Sequence, residues 1–333
     1  MKSKKSFIAL ILIFAILTIT LSACKTDEQG YEFSDIKIVV PDGAPSLSMA
    51  KLMKDGKSIQ GTQIVFDIVA GVDEIMAKVT KGEADIAIVP TNIAALLYNK
   101  GVDIQMVSVN VFGLLYMVGR GEATSLSALK GEIVYNIGRG GTPDLTFKYI
   151  LKSNGIEYIE SDEAVSDKVS LKYVSGGSEL ISLLAKGAAK YGILGEPAAS
   201  QAVKKTGASV LFDIQKLWNS ATNTTEGIPQ ACLIVKKKII EQIPEFVDEL
   251  LAELVIGASW IKDNAGELNA ILTENNSALK MNYDKTIVEN CNIGLIKAQD
   301  IKPDVNNYLS ILYGFNPQSI GGKIPDDNFY RKA

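Results

Sequence analysis

Asp85-Ile86-Ala87-Ile88-Val89-Pro90-Thr91-Asn92-Ile93-Ala94-Ala95-Leu96-Leu97-Tyr98 is an apolar run of strand length, a Pro-Thr-Asn turn, then a second apolar run at helical spacing. A strand over 85–89 with no polar alternation is covered on both faces, as happens in a parallel sheet flanked by helices. Thr91 reads as the cap of a helix over 91–98.

Working outward, the same strand-turn-helix phrase recurs on both sides. Upstream, Ile36 to Val40 is a strand, Pro41 to Ser46 a turn, and Leu47, Ala50, Leu52 and Met53 begin a helix; a strand over 63–69 and a helix over 71–81 follow. Downstream, strands over 104–109 and 114–118 stand in tandem with no helix between them, so the chain is expected to pass there into a second lobe. That lobe repeats the pattern: strand 132–137, the glycine-rich turn Gly138-Arg139-Gly140-Gly141-Thr142-Pro143-Asp144, helix 145–154, strand 170–174, helix 178–186, strand 191–194 and a helix after Glu196-Pro197. The polar stretch Asn219 to Gly227 reads as the return, with helices over 244–262, 283–294 and 303–312 packing on the first lobe. The predicted class is α/β, with lobes over 35–113 and 114–232 and the return over 233–333.

The first 34 residues belong to neither lobe. Lys2, Lys4 and Lys5 precede a 15-residue apolar stretch, Phe7 to Leu21, and then Leu21-Ser22-Ala23-Cys24. The stretch is shorter than the roughly 20 residues a helix needs to span a bilayer and ends in small residues, so 1–23 reads as a secretion signal. Leu-Ser-Ala-Cys resembles the bacterial lipobox, which implies lipidation of Cys24, membrane anchoring on the extracytoplasmic face, and a polar tether over 24–34. An ordinary cleavage site with an incidental cysteine is the plainer alternative.

Loss of the signal leaves 310 residues with 31 basic against 38 acidic. That balance disfavours nucleic acid as a partner. The chain contains no histidine, which removes Ser-His and Cys-His nucleophile systems and the commonest metal ligand. No calcium-loop or phosphate-loop pattern is present, and neither a metal nor a cofactor is expected. Cys232 and Cys291 lie in apolar neighbourhoods and read as two buried thiols, one disulfide being the alternative in an exported protein.

Helix starts carry the candidate site, because their first amides are unpaired and point at whatever lies before them. Asp42, Gly43, Ala44 and Ser46 follow the first strand, with Ser46 as cap. Thr91 and Asn92 follow the strand quoted above. Gly140, Gly141 and Thr142 follow strand 132–137, with Thr142 as cap and Pro143 first in the helix. Such turns need Gly, Ser, Thr and Pro in any α/β fold, so none is decisive alone. Arg139 either neutralises an anion or sits in solvent. Glu196 either accepts from a ligand N–H or caps the next helix. Asn110 and Phe112 stand at the first crossing, where Phe112 either stacks on a flat ligand or packs the hinge; Asn223 and Glu226 stand at the second.

With Asp42-Gly43-Ala44-Pro45, Ala84 to Pro90, Leu126 to Gly131, Gly140 to Asp144 and Gly195-Glu196-Pro197 assembled, the chain resembles the solute-binding lipoproteins of nitrate/sulfonate/taurine and thiamine-precursor importers, a branch of the type II periplasmic-binding fold. The phrase Lys186 to Gly192 departs from that family's pattern, which carries an acidic residue there. The resemblance implies two Rossmann-like lobes with a cleft between them, a monomer without catalysis, and capture of a small solute for an ABC permease with a cytoplasmic ATPase. It places the 42–46 loop, Thr91, Asn92, Asn110 to Phe112, Gly140 to Thr142 and Glu196 at the cleft. A flat or amphoteric organic molecule of sulfonate, pyrimidine or aromatic type is expected. The alternatives are a histidine-free enzyme using Asp144 and Glu196, or a sensory or adhesion lipoprotein.

Overall fold

The computed structural model describes residues 33, 35–56, 58–121 and 123–332. The signal, the tether and Cys24 lie outside the described residues. The chain divides into Met1–Ser34 and Asp35–Ala333, and the second unit holds the described strands and helices.

Its strands form two sheets. The first holds β1 (Asp35–Pro41), β2 (Ser58–Ile59), β3 (Thr62–Val69), β4 (Ile86–Pro90), β5 (Ile104–Val111), β12 (Ala231–Lys236) and β13 (Ile293–Lys297) in the order β13-β5-β12-β4-β1-β3-β2. The second holds β6 (Leu115–Gly119), β7 (Ile133–Asn136), β8 (Tyr158–Glu160), β9 (Val169–Tyr173), β10 (Tyr191–Gly195) and β11 (Ser209–Asp213) in the order β11-β6-β10-β7-β9-β8. The apolar runs are buried as their patterns require: Ile36, Ile38, Val39 and Val40 of β1 and Ile86 to Val89 of β4 are at most 1 % exposed. Flanking helices then cover the sheet faces with their apolar rows, as Ala94, Ala95 and Leu97 do in the helix Thr91–Asn99.

β1 runs parallel to β3 and β4, and β7 parallel to β9 and β10. Each sheet also carries strands of opposite sense. β6 lies antiparallel to β10 and β11, and β12 antiparallel to β4 and β5. The reversal follows from the connections. β5 leaves the first sheet at its carboxyl edge, and Phe112 to Leu114 deliver the chain to the carboxyl edge of the second, so β6 must run backwards. Residues 223–230 make the return in the same way and β12 runs backwards in turn. Both sheets therefore present their carboxyl ends to one another, where ligands bind in α/β folds.

The two crossings lie side by side. Leu114 N donates to Gln230 Oε1 (3.1 Å), and Gln230 N donates to Val111 O (3.0 Å). Gly227 has φ +88°, and a Cβ there would stand 2.3 Å from Phe112 O. Only glycine allows the second crossing to close on the first.

The fold corrects the sequence reading in four places. Ala231 and Cys232, assigned to the second lobe, pair with Pro90 and Val89 in the first sheet, so the return is complete by residue 230. The helix Ile214–Thr222 was read in part as polar loop, because its apolar face is confined to Ile214 and Trp218 with Leu217 beside them. β13 is a strand that the sequence reading lacks: the helix expected over 283–294 overlaps only Ile293 and Gly294, and Ile293, Leu295 and Ile296 satisfy either period over so few residues. The helix Ala298–Phe315 begins five residues before Pro303, which it holds inside its first turns. Cys232 and Cys291 are free and buried, and burial pushes the Cys232 thiol up to about 12.

Candidate functional site

A cavity of about 360 Å³ lies between the two sheets' carboxyl ends. Pro41 and Pro45 enter it from the end of β1 and the turn after it, and Pro90, Asn92 and Ile93 from the end of β4 and the helix that follows. Val72, first residue of the helix Val72–Thr80, stands beside them. Gly141, Thr142 and Pro143 form the facing wall from the second lobe, and the crossings close the floor with Leu114, Gln230 and Ala231. The walls are thus strand ends, helix starts and both crossings.

The caps sit one or more residues earlier than sequence reading placed them. Gly43, Pro90 and Gly141 are the N-caps, and Thr91 and Thr142 are the first helical residues. This frees both threonines for other bonds. Thr91 N donates to Gln230 O (3.0 Å), while its buried hydroxyl, near the Cys232 thiol, has no hydrogen-bond partner among the described residues. Thr142 Oγ1 meets Tyr308 OH at 2.7 Å and Asn92 Oδ1 at 3.4 Å. Asn92 Nδ2 in turn donates to Ser319 O (3.2 Å). The first lobe, the second lobe and the carboxyl-terminal helix therefore meet through Asn92, Thr142 and Tyr308, and Tyr308 is wedged edge-on to Trp218.

Other sequence candidates are placed elsewhere. Ser46 caps nothing: it is the third residue of the four-residue helix Ala44–Leu47, and its hydroxyl donates to Gly43 O (2.7 Å). Asp42 accepts from Ser277 Oγ, Ala278 N and Leu279 N at 2.7–2.9 Å, holding that loop rather than facing the cavity. Gly43 and Ala44 form the turn that sets Pro45 in place. Asn110 is fully buried in β5 and accepts from Ser108 Oγ (2.9 Å). Phe112 points to a separate groove of about 450 Å³ shared with Glu226 and Asn292, and packs on Gly294. Asn223 is an exposed left-handed cap at φ 54°.

Glu196 is 4 % exposed and takes the capping role. Ser200 N, Ser200 Oγ and Asn290 Nδ2 donate to its carboxylate at 3.1, 2.7 and 3.2 Å. It does not line the cavity, and its carboxylate is taken up by these internal donors.

Arg139 is likewise engaged. Its guanidinium is 68 % exposed, pairs with Glu160 and lies over the Tyr173 ring at 5.3 Å. Behind it, the fully buried Asp144 accepts from Gly140 N (2.8 Å), Lys148 Nζ (2.9 Å) and Tyr173 OH (2.7 Å). Lys148 also reaches Glu160 Oε1 (2.6 Å) and holds that carboxyl below the usual carboxylate range, with Arg139 assisting against partial burial. The network fixes the glycine-rich turn from behind.

Val72, Ile93, Leu114, Gln230 and Ala231 are absent from the sequence candidates, as are Pro41, Pro90 and Pro143 beside the turns that were named. Gly71 after β3, followed by Asp73 and Glu74 in the first helical turn, was the signal for Val72. Gln230 carried no such signal. Among the described residues no group of three or more His, Cys, Asp or Glu is placed to hold a metal ion, and no helix is long and apolar enough to cross a membrane.

No family model matches the chain. No curated protein matches it either. Solved structures do. An ABC transporter protein from Parabacteroides distasonis superposes with a TM-score of 0.76 at 24 % identity, over 90 % of this chain and 99 % of that one. The periplasmic aliphatic sulphonate binding protein SsuA of Escherichia coli follows with 0.64 at 13 %, over 87 % and 89 %. The periplasmic nitrate-binding protein NrtA of Synechocystis PCC 6803 gives 0.55 at 15 %, over 87 % and 81 %. The chain has the fold of these proteins.

Proposed function

We propose that the chain is the solute-binding component of an ABC importer, working outside the cytoplasmic membrane and held there by lipid on Cys24. It captures a small organic solute between its lobes and delivers it to a permease driven by a cytoplasmic ATPase. The observation that carries this reading is the cavity itself. It stands where the carboxyl ends of two sheets face one another, it is walled by both lobes, and only two short crossings join those lobes in a way that permits hinge closure. The fold is shared with structures named as an ABC transporter, a periplasmic aliphatic sulphonate binding protein and a periplasmic nitrate-binding protein, which supports the importer assignment. A small organic solute of sulfonate, pyrimidine (thiamine-precursor) or aromatic type is the class this reading starts from, and the uncharged wall of the cavity narrows it.

The enzyme alternative rests on Asp144 and Glu196 acting together, and each carboxylate is occupied by internal donors. Titration calorimetry of the purified protein against sulfonates, nitrate, pyrimidines, flavins and small aromatic acids tests the proposal. Saturable one-to-one binding without chemical change of the solute is the expected result. Turnover of any bound solute, or no heat from the entire panel, would contradict it.

A further inference from the structure

We propose that the cavity takes an uncharged solute with a largely apolar body and a hydrogen-bond-accepting end, and that it discriminates against oxyanions; the inference rests on the reading of the cavity as the solute site. None of the residues that line the cavity is charged. Four of them are prolines, Pro41, Pro45, Pro90 and Pro143, and their rings supply flat apolar wall.

The prolines also act on hydrogen bonding. An oxyanion at a helix start is held by the amides of the cap and the first turn. Pro90 is the cap of the helix Thr91–Asn99, and Pro143 is the second residue of the helix Thr142–Ser153, so each removes a donor where an anion would need one. The amide of Thr91 is already given to Gln230 O and that of Gly140 to Asp144. Acidic residues in the first turns oppose an anion further. Asp73 and Glu74 follow Val72, and the buried Asp144 stands two residues after Thr142. A buried anion would meet no counter-charge among the residues lining the cavity, and fewer first-turn amides than helix starts without proline would offer it.

The remaining polar groups are neutral and few. Thr142 Oγ1 and Asn92 Oδ1 are committed to each other and to Tyr308, and Gln230 Oε1 accepts from Leu114 N. Gln230 Nε2 and the second hydrogen of Asn92 Nδ2, whose first goes to Ser319 O, remain as side-chain donors, and both suit a carbonyl or ring-nitrogen acceptor.

The test uses matched probes that differ in charge but little in shape: nicotinamide against nicotinate, benzamide against benzoate, and orotamide against orotate, with methanesulfonate and nitrate as small anions. Dissociation constants are measured calorimetrically at low and high salt. The neutral member of at least one pair is expected to bind about tenfold or more tightly than its anion, with no dependence on salt. An Ile93→Lys variant, checked for folding by its melting curve, supplies the missing counter-charge and is expected to shift the ratio towards the anion. Tighter binding of the anions by the unaltered protein would overturn the proposed class and leave the importer reading standing. Silence from every probe would overturn the reading of the cavity as a solute site.

Discussion

Lys148→Met is expected to lower folding stability by about 3–5 kcal/mol, the cost of stranding a buried charge by removing its partner. The substitution keeps the aliphatic stem and deletes the ammonium. Asp144 is fully buried, and Lys148 is its only basic partner among the described residues. Glu160 keeps Arg139, which is exposed and stabilises little. Denaturant titration at neutral pH measures the loss. A double variant that adds Asp144→Asn recovers a large part of it, because the stranded charge is then gone. A loss below about 1 kcal/mol in the single variant would mean that Asp144 is solvated and the network holds nothing.

Trp218→Ala is expected to cost a further large amount, about 3–5 kcal/mol by the range for buried aromatic truncation. Trp218 is 1 % exposed, and its ring centroid lies 5.4 Å from that of Tyr149 and 5.7 Å from that of Tyr308. Those three rings join the helix Thr142–Ser153, the helix Ile214–Thr222 and the helix Ala298–Phe315. Tyr308 meets Thr142 in the cavity wall, so the truncation also releases a wall residue and weakens solute binding in step with stability. Trp218→Phe keeps most of the packing and should recover most of both. A Trp218→Ala protein with an unchanged denaturation midpoint would contradict the role given to this stack.

How much of this was legible follows from which interactions are local. The run over 85–98 yields its strand and helix because burial on both faces leaves an unbroken apolar signature, and β4 with its helix is what the structure contains. The tandem strands before and after Phe112 to Leu114 disclosed the first crossing because a missing helix is itself a local fact. The turns at 41–45, 90–92 and 140–143 were found for the same reason, and each contributes wall to the cavity. Which residue of a turn faces the solute was not legible. Pro45 and Pro143 line the cavity, while Asp42 and Glu196 are claimed by Ser277 and Ser200. Those partners lie 235 and 4 residues away: Ser200 was within view of the capping alternative, and Ser277 was not. Tyr308 and Ser319, which brace Thr142 and Asn92, come from a segment whose approach to the cleft no local pattern announces. β13 and the helix Ile214–Thr222 failed for want of length, since a few apolar residues fit both periods until a neighbouring strand or helix selects one.

The central claim is that solute sits between the lobes, and amide hydrogen exchange read by mass spectrometry with and without the best calorimetric ligand tests it most directly. Protection is expected together in 42–46, 91–94, 141–145 and 227–232, segments far apart in sequence that adjoin only around this cavity. Protection confined to the Phe112 groove at 225–226 and 289–296, with those four segments unchanged, would contradict the claim.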